Sequence, residues 1–196
     1  MVQEVRSRRR GRELEEAIYQ AVWDELREHG FTRLTMDGVA RRAGTSKPVL
    51  YRRWANRVEM LAAAATHFLP DSETVPDAGS LRANTIAVLK VMRERMRTTG
   101  RTTMLGLLTE IAANPEANAP VIETFIGFMR KIMTEVALAR AVDRGEIEEE
   151  QITTRLRTLP LELARMEFIV TGDLPDVSIE EIVDTVFLPA LEARRR

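Results

Sequence analysis

Between residues 33 and 61 the sequence RLTMDGVARRAGTSKPVLYRRWANRVEML sets Arg41, Arg42, Lys47, Arg52, Arg53 and Arg57 among regularly spaced apolar residues. Guanidinium and ammonium groups are donors without acceptors, so at this density their natural counterpart is an oxygen-rich anion. A phosphate backbone offers such oxygens repeatedly, and an arginine can also give two parallel hydrogen bonds to guanine O6 and N7. Spacing alone favours that reading, with a basic face turned to solvent as its alternative. Groups for bond-breaking chemistry are sparse: the two histidines, His29 and His67, lie far apart, and there is no cysteine. No Gly-rich phosphate loop, HExxH, GxSxG or Cys/His metal spacing occurs. The acidic run at 146–150, EIEEE, reads as a solvated helix start. The expectation is a binding protein, not an enzyme, with no cofactor and no metal.

The basic residues must be held by helices, because the apolar residues around them follow a helical period. Leu14, Ala17, Ile18, Ala21, Val22 and Leu26 line one face of a helix predicted over about 12–29, with Gly30 as its stop. Thr35 suits the cap of a short second helix ending at Gly44, and Thr45 or Ser46 the cap of a third, KPVLYRRW. Asn56 with Glu59 outlines a capping box that opens a fourth. Two short helices joined by a tight turn have the outline of a helix-turn-helix. At about 100° per residue Leu50 and Trp54 fall together and face inward; Pro48, Val49 and Arg52 face outward, with Tyr51 and Arg53 on the flanks and Lys47 at the exposed first turn. Arg52 is then the base-reading candidate and Pro48 and Val49 offer apolar surface to thymine methyls, while Lys47, Tyr51, Arg53 and Arg57 reach phosphates. Thr35, Thr45 and Ser46 complete the expected DNA-binding set at the helix starts, where main-chain N–H groups can meet phosphate. The Arg-rich segment RSRRRGR before the first helix is either a phosphate-tracking arm or a solubilising tail.

These residues resemble the helix-turn-helix of the tetracycline-repressor (TetR) family of bacterial transcription regulators. The shared pattern is T-x-x-x-V-A-x-x-A-G, then S-K-x-x-x-Y, then an aromatic residue and N/S-K/R-x-x-L, met here by Thr35, Gly44, Tyr51, Trp54 and Asn56. The segment ELARMEFIVTGDLPDVSIEEIVDTVFLPAL is similar to one class of ligand-domain endings in the same family, so the resemblance spans nearly the whole chain. It implies an all-helical homodimer that binds a near-palindromic DNA operator and releases it when a small-molecule effector occupies the larger domain. Two residues depart from it. Asp37 stands where some members place a basic or polar DNA contact, and Gly38 weakens its helix by up to about 1 kcal/mol relative to Ala.

Beyond the loop PDSETVPDAG the chain reads as further helices near 80–98, 101–113, 116–143, 149–171 and 178–194, about nine in all, with Pro160 kinking or breaking its helix near Thr158. The organisation expected is all-α: an arm and three-helix head over 1–56, then a ligand-binding and dimerisation bundle over 57–196. Methionines and neighbouring apolar residues form a flexible pool, more often plain core than pocket. The resemblance promotes His67, Met92, Met96, Leu108, Phe125, Met129, Met133 and Met166 to candidate ligand contacts, with the ligand apolar or aromatic. It also assigns the last two helices to a two-fold interface, through Leu163, Ile169, Val183, Phe187 and Leu191.

Composition agrees with a regulator that has two tasks. Residues 1–60 carry 13 Lys/Arg against 9 Asp/Glu, whereas the rest of a chain of net charge −1 is acidic. The absence of cysteine and of any long apolar run makes the cytoplasm the expected location. An activator with the same head, or a helical partner-binding module, are the competing readings.

Overall fold

Residues 2–29 are long, mostly unbranched helix formers with no proline, and they form one helix, α1 (Val2–His29). The computed structural model describes residues 2–67, 75–116, 118–119, 127 and 130–195, with residues 2–10 in backbone only. Helix α1 therefore begins ten residues earlier than its apolar stripe predicts, and the backbone of the Arg-rich segment is helical. Ile18, Ala21, Val22 and Leu26 of the stripe are buried, Leu14 is half-buried and Ala17 is exposed. A 3-10 turn (Phe31–Arg33) leads into α2 (Met36–Arg42), α3 (Lys47–Tyr51) and α4 (Arg57–His67). Helices α5 (Leu81–Thr99) and α6 (Arg101–Ala113) match their predicted spans.

The C-terminal part is also helical. Helix α7 occupies residues 130–143 and includes a π-helical stretch at Met133–Leu138. Pro160 sits in the first turn of α8 (Leu159–Thr171), where its missing N–H costs nothing, so the predicted 149–171 helix is divided into a 3-10 turn (Glu149–Gln151) and α8. Helix α9 runs over residues 176–192, with a second π-helical stretch at Ile182–Phe187. The described residues thus hold nine helices and no strand.

Two compact units result, residues 1–68 with 105–122 and residues 69–104 with 123–196. In the first, Ile18, Val22, Leu34, Val39, Leu50, Met60 and Leu61 form a closed core, and Leu107 and Ile111 pack against it. Helix α4 thus packs with the head, beyond the functional boundary expected after residue 56. In the second, α5 packs against the π-helical part of α7 and against α8 and α9, around Leu89, Met133, Leu138, Leu161, Phe168, Ile179 and Phe187. No helix among the described residues is long and apolar enough to cross a membrane.

Candidate nucleic-acid interface

Local chemistry seats α3. Thr35 has extended backbone, and its Oγ1 accepts a hydrogen bond from the Gly38 N–H at 3.0 Å, capping α2. The helix ends in a Schellman turn: Thr45 N–H donates to Ala40 O at 2.9 Å and Gly44 N–H to Arg41 O at 3.3 Å, with Gly44 at φ +64°. A side chain at that φ would be strained, so glycine sets the angle between α2 and α3. Ser46 is the N-cap of α3 by backbone conformation but makes no side-chain cap bond; Thr45 beside it is half-buried. Leu50 and Trp54 are buried in the core of the first unit, as their spacing predicts. Lys47, Pro48, Tyr51, Arg52 and Arg53 are exposed and Val49 is half-buried. At the entry to α4, Asn56 Oδ1 accepts from the N–H groups of Val58 and Glu59 at 2.9 Å, and Glu59 reaches back to the Ala55 N–H at 2.6 Å. That is the reciprocal cap expected there, displaced by one residue on the return bond.

The cations of this head divide by what they already hold. Arg57 is half-buried: it donates to the carbonyls of Thr32 at 3.3 Å and Leu34 at 3.2 Å, pairs with Glu110 at 2.9 Å and lies 5.0 Å from the Phe31 ring centre. It ties α4 to the turn before α2 and to α6, which a phosphate contact would have to share. The same turn meets α6 at Gly106, where an added Cβ would come within 2.8 Å of the Phe31 ring. Arg42 binds Glu25 at 2.8 Å and also Glu28; Glu25 is buried. A Cβ at Gly38 would stand 2.6 Å from Glu25 Oε2, so the glycine that weakens α2 makes room for this carboxylate. Arg53 pairs with Glu15 at 3.4 Å beside Trp54, and Lys47 with Asp37 at 2.9 Å, a bond that raises the Lys47 pKa. Arg33, Arg41 and Arg52 are exposed and form no ion pair among the described residues. Arg33 and Arg41 were outside the predicted contact set; the signal for Arg41 was its position one turn after Asp37 on the outer face of α2.

The predicted ligand contacts divide between the two units. Met92, Met96 and Met133 meet in the core of the second unit. His67 belongs to the first unit, with its ring centre 4.6 Å from that of Tyr19, whose hydroxyl pKa is pushed up to about 12 by burial and by its bond to Glu15. Leu108 is an exposed residue of α6 in the first unit, and Met166 is 61% exposed on α8. Phe125 and Met129 lie outside the described residues. A cleft of about 410 Å³ occurs in the first unit, lined by Thr35, Tyr51, Asn56, Arg57, Glu110 and Asn118 among others, and includes none of the predicted ligand contacts.

The interface candidates separate by burial within the protomer. Val183, Phe187 and Leu191 are 0%, 0% and 1% exposed, so their stripe fills the core of the second unit. Leu163 is exposed and Ile169 half-buried. The apolar residues left outside are Leu163, Met166 and Val170 on α8, at i, i+3 and i+7, with Val177 and Val186 on α9.

Comparison with known proteins agrees with this geometry. Residues 18–64 match the family described as bacterial regulatory proteins, tetR family, and residues 75–186 match the tetracyclin repressor-like C-terminal domain. An uncharacterised HTH-type transcriptional regulator of Mycobacterium tuberculosis is 32% identical over 169 residues, 85% of this chain and 82% of the relative. A protein named DNA-binding transcriptional repressor TetR, from Mycobacteroides abscessus, is 27% identical over 180 residues, 91% of this chain and 94% of the relative. The crystal structure of a transcriptional regulator from Rhodococcus sp. Rha1 shares the fold, with TM-score 0.59 at 18% identity over 91% of this chain and 96% of the other. A capped helix-turn-helix with an outward basic face, matched along both of its parts, makes this chain a member of the TetR family of DNA-binding transcriptional regulators.

Proposed function

We propose that this regulator is a repressor, released from a near-palindromic operator by a small apolar effector. The observation that carries the DNA-reading part is Arg52: it is the exposed C-cap residue of α3, set in the chain between the buried Leu50 and Trp54, and has no ion-pair partner among the described residues. A guanidinium held this way can give both of its parallel donors to guanine O6 and N7. Arg33 and Arg41 supply phosphate contacts at no cost in internal pairs, whereas Lys47 and Arg53 must exchange a partner first. Arg57 acts as a tether inside the head.

One short helix reads too few base pairs for a genomic site, so the working form is a homodimer whose heads meet half-sites about one turn or a multiple apart. Its interface is the exposed stripe of Leu163, Met166 and Val170 with Val186, where burial of each large side chain contributes roughly 1.5–3 kcal/mol. The effector site belongs to the second unit, near Met92, Met96 and Met133, whose flexible side chains adapt to varied shapes.

Selection from random-sequence duplexes tests this reading: it expects enrichment of a two-fold symmetric site. Titration of a thermal-shift hit with and without that DNA then expects opposed binding by equal factors in both directions. No enriched sequence, or a ligand whose affinity ignores the DNA, overturns it.

A further inference from the structure

Between Thr35 and Val58 the chain carries six basic residues and a single acid, Asp37. Asp37 is exposed in the first turn of α2, and its Oδ2 lies 2.9 Å from Nζ of Lys47, the first residue of α3. Arg41, one turn along α2, and Arg52, the C-cap residue of α3, have no ion pair among the described residues. A carboxylate within a surface otherwise suited to phosphate acts twice. It repels the phosphate backbone, and it occupies the ammonium group that would displace a condensed counterion.

We propose that Asp37 limits the strength of sequence-independent DNA binding by holding Lys47 in an ion pair, so that each head releases one fewer counterion than its composition allows. This deepens, and rests on, the DNA-binding reading of the same face. An exposed pair of this kind is weak and exchanges readily, so Asp37 sets a graded restraint and not a lock. Because neither the repulsion nor the pairing involves base edges, the restraint acts on all duplexes alike and leaves the choice of sequence to Arg52.

The test is fluorescence anisotropy of the full-length protein on a duplex of arbitrary sequence, titrated at several salt concentrations between about 50 and 200 mM. Asp37→Asn is expected to tighten binding on the order of fivefold or more, and to steepen the slope of log K against log salt by about 0.9 per head. Asp37→Glu, which keeps the charge, should track the wild type. In a Lys47→Gln background the steepening should vanish. An unchanged or weaker Asp37→Asn complex overturns the proposal while leaving the DNA-binding reading intact. An equal steepening without Lys47 overturns it as well, since Asp37 would then act by repulsion alone. A wild-type protein with no salt-dependent binding to any duplex removes the underlying reading and the proposal together.

Discussion

Helix α3 and helix α9 both looked amphipathic in sequence, yet their side chains were legible to different degrees. In and just beyond α3, Leu50 and Trp54 fall on one side while Lys47, Arg52 and Arg53 lie elsewhere, so one orientation buries apolar surface without burying charge. In α9 apolar residues recur at 177, 179, 182, 183, 186, 187, 190 and 191 and cover more than one face. A π-helical stretch at Ile182–Phe187 also shifts the phase of everything after it. Two stripes were therefore available, and the tertiary core took Ile179, Val183, Phe187 and Leu191 while leaving Val177 and Val186 outside. Charge contrast, more than hydrophobic content, determines whether a helix face can be read from sequence.

The largest expected effect breaks this comparison at α9. Phe187→Ala should destabilise the second unit by about 3–5 kcal/mol, because it opens a cavity where no side chain is exposed. Val170→Glu, on a residue 63% exposed, should leave denaturant unfolding of the protomer nearly unchanged and yield monomers by light scattering. A Phe187→Ala protein of wild-type stability that is monomeric would restore the stripe at 183, 187 and 191 to the interface.

In the head the same comparison is sharpened by Arg52 and Arg57. Arg52→Ala should cost about 1–3 kcal/mol of discrimination between selected and scrambled DNA with little change in melting temperature. Arg57→Ala should instead lower the stability of the head, since its bonds to two carbonyls and Glu110 involve a charged donor worth about 1.5–3 kcal/mol. If Arg57→Ala melts as the wild type does and only weakens DNA binding, its role is phosphate contact after all.

Gly38→Ala tests a smaller balance. Helix propensity favours alanine by up to about 1 kcal/mol, while the new Cβ must displace the Glu25 carboxylate from beside Arg42. The two should nearly cancel in thermal unfolding; a gain of the full propensity value would mean that Glu25 moves aside freely. The smallest effect expected is in the second unit. The Asp176 carboxyl accepts from Lys90 and Arg93, which hold its pKa at about 2, well below the ordinary carboxylate value. A depressed carboxylate adds stability above its unfolded pKa and loses it as pH falls through the folded value. Stability should thus decline between about pH 4 and 2, by less in Asp176→Asn than in the wild type, and identical acid profiles would show that these exposed pairs contribute nothing.

The helix count, the capped helix-turn-helix and the inward and outward faces of α3 were determined by the sequence itself, because they depend on contacts within a few residues. Caps at Thr35 and Asn56, the turn at Gly44 and the contrast between Leu50 and Arg52 are all local. What only the tertiary structure decided were choices among equivalent local options. Helix α1 continues through the Arg-rich segment because nothing in residues 2–10 stops it, although no apolar stripe marks it. Whether a cation is available or engaged depends on acids distant in sequence: Glu15 for Arg53, Glu25 for Arg42 and, across 53 residues, Glu110 for Arg57. Which of two apolar stripes on α9 is core follows from the shape that α5 and α8 leave for it. Side-chain periodicity records that a residue is buried by something, and only the packed chain specifies by what.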